Sequence, residues 1–107
     1  MTGLNQRIRA YLAATFHFPD EQINQMLPSF LDTLRGHLAV VEQAIAEDSG
    51  QLAKAAHTLK GALLNLGLEA EVAIARELED LGMKGGAADQ ASLFSLTKRL
   101  REKLALP

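Results

Sequence analysis

The 107-residue chain contains no cysteine and no tryptophan. Without cysteine it forms no disulfide, holds no metal through thiolates and carries out no thiol chemistry. It has no run of about 18 apolar residues, so the sequence predicts no membrane span. The formal net charge is only −2, which argues against a general affinity for nucleic acid or an anionic membrane surface. Its first residues lack the basic and apolar regions of a secretory signal, so we expect a cytoplasmic protein.

Alanine and leucine dominate the apolar residues that are present, and both favour helices. The length predicts a single domain over residues 1–107. No segment keeps a period of two for long, so we predict no sheet. The spacing of apolar residues, together with residues that favour helix starts and ends, predicts five helices, at about 4–16, 20–47, 51–66, 69–83 and 89–104.

Four long helices joined by short loops indicate an all-α fold, an antiparallel four-helix bundle with an additional short N-terminal helix. Pro28 lies inside the second segment and favours a kinked or interrupted helix there. Gly82, Gly85 and Gly86 are interpreted as the turn before the last helix.

The third predicted helix, about 51–66, carries an unusual outer face. At about 100° per residue its leucine stripe must face the core, and His57 falls nearly opposite that stripe. Lys54 and Lys60 lie about 60° to either side of His57, with Gly61 about 40° and Leu64 about 20° away. Glycine inside a helix costs about 1 kcal/mol relative to alanine. A bare patch beside an imidazole and two cations therefore indicates that something large approaches His57.

The run His57-Thr58-Leu59-Lys60-Gly61, followed by Leu66-Gly67, resembles the signature of the histidine-containing phosphotransfer (HPt) domain family. The family often has a small polar residue after the Lys-Gly pair, where this chain has Ala62. The resemblance implies a histidine phosphotransfer protein of a multistep phosphorelay. His57 would accept a phosphoryl group on Nε2 from the aspartyl phosphate of a receiver domain and pass it to another receiver.

The same resemblance implies roles for the surrounding residues. Lys60 would offset the charge of the phosphorylated imidazole, and Gly61 would leave room for the docking partner. The partner surface is predicted to include Ala53, Lys54, Leu64 and Leu68. The chain would hold no cofactor or metal, because the receiver would bring Mg²⁺ and the acidic site. We thus expect a monomeric phosphocarrier, without its own ATP site, that binds response-regulator receivers or a hybrid histidine kinase.

Three alternatives remain open from the residues. The chain fits a phosphoacceptor domain for a separate chemotaxis-type histidine kinase, a non-catalytic helical adaptor, or a metal- or ligand-binding bundle. His17 and His37 share no helix turn with another histidine, which argues against zinc and for structural roles. The acidic run containing Glu77, Glu79 and Asp80 is interpreted as a solvated helix face.

Overall fold

The computed structural model describes residues 3–47, 50–84 and 89–104, and these residues form five helices and no strand. The helices are α1 (Leu4–Phe16), α2 (Asp20–Glu47), α3 (Leu52–Asn65), α4 (Glu69–Met83) and α5 (Gln90–Lys103). The predicted all-α fold is confirmed, and each predicted helix lies within one residue of its observed bounds. Gly82 lies inside α4 and not in the turn to which we assigned it, whereas Gly85 and Gly86 fall outside the described residues.

Helix α2 continues without a break through Pro28, so of the kinked or interrupted helix expected there, the interruption is excluded. Proline has no N–H to donate to the carbonyl of Asn24, four residues earlier. Both residues are exposed, so the missing bond lies at the surface, where an unpaired carbonyl costs less than in the core, and the helix tolerates the proline.

The core lies within a ring of helix contacts. Helix α3 contacts α2 and α4, and α5 contacts the same two helices. The inward stripe predicted for α3 is buried along its whole length, at Leu52, Ala55, Leu59, Leu63 and Leu66. Each fully buried leucine stabilises the fold by about 1.5–3 kcal/mol. This stripe fixes the rotation of α3 about its axis and turns the opposite face outward.

An ion pair ties α1 to α4. Both terminal nitrogens of the Arg7 guanidinium, Nη1 and Nη2, donate to the Glu71 carboxylate, at 2.9 and 2.7 Å, and Glu71 is only 1% exposed. Burial is the largest single effect and acts to raise the pKa of Glu71. The hydrogen bonds from Arg7, a backbone hydrogen bond and the positive charges of Arg7 and Lys103 together outweigh it and hold this pKa below its ordinary value. The pair thus keeps a buried charge satisfied while α1 covers part of the core with Ile8 and Leu12.

Gly67 ends α3 in the left-handed conformation, with φ of 72°. Its N–H donates to the Leu64 carbonyl and the N–H of Leu68 donates to the Leu63 carbonyl, which is the Schellman arrangement. A Cβ at position 67 would collide with the Tyr11 side chain. Both the dihedral angle and the contact with α1 therefore require glycine here.

Replacing Gly67 by alanine should lower the free energy of unfolding by about 1–3 kcal/mol, because the new residue is strained and meets Tyr11. Gly36→Ala is the matched control, since Gly36 lies inside α2 with nothing within 4 Å of an added Cβ. That control should leave stability equal or raise it by up to about 1 kcal/mol. Urea denaturation measures both changes, and equal effects of the two substitutions would contradict this account of Gly67.

Candidate functional site

His57 stands on the outer face of α3, with its side chain 67% exposed. The leucine stripe on the opposite side of the helix is what turns it outward. Lys54, one turn earlier, is also exposed, whereas the Lys60 side chain is only 19% exposed. The two lysines that flank His57 therefore lie in different environments.

The Glu79 carboxylate on α4 joins His57 to Lys60. Its Oε2 lies 2.8 Å from Nδ1 of His57, and its Oε1 lies 2.6 Å from Nζ of Lys60. The Glu79 side chain is 16% exposed, so its contact with Lys60 is partly shielded from water, whereas its contact with His57 is exposed. One acidic residue thus spans the two side chains that the sequence singles out on α3.

This contact sets the tautomer of the neutral imidazole. An ionised carboxylate only accepts hydrogen bonds, so Nδ1 of His57 carries the proton that it donates to Glu79. In the neutral ring the lone pair then resides on Nε2. That nitrogen is the nucleophilic atom available to an incoming group.

Glu79 remains ionised over a wide pH range. The hydrogen bond from Lys60 is the largest effect on its pKa, and together with the bond to His57 it lowers this pKa below the ordinary value against the opposing effect of desolvation. A carboxylate with a lowered pKa keeps its acceptor role at neutral pH. The acceptor that orients His57 is therefore present under physiological conditions.

Close packing of α3 and α4 brings Glu79 within reach of His57. A Cβ at Gly82 would lie 2.6 Å from the backbone nitrogen of Ala53, so this glycine permits the close approach of the two helices. Glu79 is one turn before Gly82, and His57 is one turn after Ala53. The close contact therefore places the two side chains opposite each other.

The remaining predicted site residues differ in how far they are exposed to solvent. Gly61 leaves open space, with nothing within 4 Å of an added Cβ, and Leu64 is 48% exposed. Ala53 is half-buried against α4. Leu68 is completely buried, so its assignment to a partner surface is wrong. It follows the turn at Gly67, which directs its side chain into the core.

The interpretation of Glu79 as part of a solvated acidic face is also wrong. Glu79 lies four residues after Ala75 and three before Gly82, on the flank of α4 that packs on α3. A carboxylate in an inward stripe needs a polar partner, and that spacing was the available signal. His17, by contrast, occupies the left-handed C-cap of α1, which agrees with a structural role.

Comparison with known proteins gives one match. The family model for the Hpt domain matches residues 25–106, which include α3, α4 and α5 and most of α2. No curated protein and no solved structure matches the chain. Among the described residues, no helix has both the length and the apolarity needed to cross a membrane.

Glu79→Ala should shift the tautomer of His57. Without the carboxylate, the ratio of Nδ1–H to Nε2–H forms in the neutral ring should fall about fivefold. That factor corresponds to the free energy of a partly exposed hydrogen bond to a charged group, about 1 kcal/mol. Nitrogen-15 chemical shifts of the ring report this ratio. Glu77→Ala is the control, because Glu77 is an exposed acid on the same helix. An unchanged ratio in Glu79→Ala, or an equal shift in the control, would contradict the assigned contact.

Proposed function

Because the chain belongs to the Hpt domain family, whose members carry out histidine phosphotransfer in phosphorelays, we propose that it is a phosphocarrier with His57 as its acceptor. A receiver domain donates the phosphoryl group from an aspartate, and a second receiver takes it from His57. The observation that carries this proposal is the exposed imidazole whose Nδ1 is bonded to Glu79. That bond leaves Nε2 free on the solvent side.

The transfer step follows from this arrangement. The Nε2 lone pair of His57 attacks phosphorus, the P–O bond to the aspartate breaks, and the aspartate leaves as a carboxylate. The ring keeps its Nδ1 proton and becomes positively charged. Glu79 faces that proton at 2.8 Å, so its negative charge stabilises the cation as it forms. No proton has to leave the ring, and the reverse reaction delivers the group to the second receiver.

Lys60 holds Glu79 in place and supplies positive charge near the phosphoryl oxygens. Its Nζ lies 2.6 Å from Glu79, one helical turn from His57. Charge on the equatorial oxygens dominates phosphoryl transfer, so positioning and electrostatics matter most. The Mg²⁺ ion belongs to the receiver in this proposal, and the chain contributes no metal ligand.

The proposal also covers the domain organisation, the oligomeric state and the partner surface of the protein. We place residues 1–107 in one domain, with α2 to α5 as an antiparallel four-helix bundle and α1 as an additional helix. The ring of contacts among α2, α3, α4 and α5 supports that arrangement. The protein acts as a cytoplasmic monomer, and its partner surface includes Ala53, Lys54 and Leu64 beside Gly61.

The direct test is transfer of label from phosphorylated receiver domains. Wild-type protein should gain label that is stable in alkali and lost in acid, as expected for a phosphorus–nitrogen bond. His57→Gln should reduce the labelling to background while circular dichroism shows an unchanged fold, because the substitution removes the nucleophile at an exposed position. His17→Gln is the control and should label like wild type.

Equal labelling of His57→Gln and wild type would refute His57 as the acceptor. Label that arrives only from a separate histidine kinase, and from no receiver, would favour the chemotaxis-type alternative. Absence of label from every donor, with binding unaffected by His57→Gln, would favour an adaptor.

Gly61→Leu should slow transfer from the receiver at least tenfold, because the added side chain obstructs docking. A misplacement of the reacting groups by about 1 Å can lower the rate roughly 100-fold. The unfolding free energy of this variant should stay equal or rise by up to about 1 kcal/mol, since leucine favours the helix and position 61 is open. Single-turnover transfer and urea denaturation measure the two effects. A large loss of stability would show that Gly61 is required for packing instead.

A further inference from the structure

A cleft of about 400 Å³ lies between α2 and α3, on the side of His57 that faces away from Glu79. Val40 and Ala55 are its apolar residues, and its polar lining consists of His37, Gln51, Lys54 and Thr58. Lys54 and Thr58 stand three residues before His57 and one residue after it. The cleft therefore adjoins the proposed acceptor.

Within residues 3–47, 50–84 and 89–104, two nitrogen donors of the cleft have no protein partner. The side chains of Lys54 and His37 make no hydrogen bond or ion pair there, although the Lys54 backbone carbonyl accepts a bond from Thr58. His37 is half-buried, and an imidazole offers at least one N–H in either protonation state. Lys60, on the other side of His57, is instead paired with Glu79.

The charge of the cleft specifies what it binds. Among the described residues that line it, none is acidic, so within that part of the chain an ammonium and a ring N–H face the same space without a counter-charge. Gly36 precedes His37 and Gly61 follows Thr58 by three residues, and neither has a neighbour within 4 Å of an added Cβ.

We propose that the cleft between α2 and α3 binds a carboxylate side chain of the incoming receiver domain, through Lys54 and His37. This inference rests on the proposed function, because it is the approach of a receiver to His57 that brings a partner surface over the cleft. The acidic side chain makes a charge-assisted bond with Lys54 and accepts a second bond from His37. The cleft thereby orients the receiver and helps to select which receiver docks.

The test uses the receiver domain that labels wild-type protein, and measures single-turnover transfer against receiver concentration. Lys54→Met should raise the half-saturating concentration about five- to tenfold, as expected for loss of one interfacial charge pair, with less effect on the maximal rate. His37→Phe, which keeps a ring without its N–H, should act in the same direction. Lys98→Met, at an exposed lysine of α5, is the matched control and should leave both values unchanged.

The partner carboxylate is identified by a double-mutant cycle. Single Asp→Asn and Glu→Gln changes over the receiver surface are combined with Lys54→Met, and one of them should cause no additional loss in the variant. The difference between wild type and Lys54→Met should also shrink as salt is raised, because an interfacial charge pair is screened.

The outcomes separate this inference from the proposed function. If no receiver labels wild-type protein, the proposed function itself fails. If wild type is labelled but Lys54→Met and His37→Phe saturate at the wild-type concentration, the cleft is not a docking site. An equal effect of Lys98→Met would indicate general electrostatic attraction and also overturn the inference, as would a receiver with no carboxylate coupled to Lys54.

Discussion

The Glu79 carboxylate uses both of its oxygens on the neighbouring helix, one for Nδ1 of His57 and one for Nζ of Lys60. An imidazole on an exposed helix face would otherwise rotate freely and exchange its proton between two nitrogens. The carboxylate limits both freedoms at once. Because Lys60 keeps the pKa of Glu79 low, the restraint persists at neutral pH, and the ring presents a single nucleophilic atom to solvent.

This restraint depends on the packing of two helices. The buried leucines of α3 fix which side of that helix faces outward, and Gly82 lets α4 approach the backbone of Ala53. A larger residue at position 82 would separate the helices at the level where Glu79 must reach His57. The core and the site are therefore coupled through one close contact, whereas Gly61 has nothing within 4 Å of an added Cβ.

Much of the fold follows from local signals. The apolar period of α3 predicted both its buried stripe and the outward side of His57, and Gly67 was recognisable as the residue that ends the helix. Contacts between helices are harder to predict, because the apolar pattern of one helix does not show which residues of another helix it meets. Glu79 was misassigned to solvent and Gly82 to a turn since both act only where α4 meets α3. Leu68 was placed on the surface because its direction depends on the turn at Gly67.

The surroundings of His57 are asymmetric: the Glu79 carboxylate contacts it on the α4 side, and a cleft lined by Lys54 adjoins it on the α2 side. We propose that this contact with Glu79 selects the reacting nitrogen. Phosphorus–nitrogen correlation spectra of the phosphorylated, nitrogen-15-labelled protein test that choice directly. We predict a single phosphohistidine with phosphorus bonded to Nε2 of His57. Phosphorus bonded to Nδ1, or to any other residue, would contradict the account.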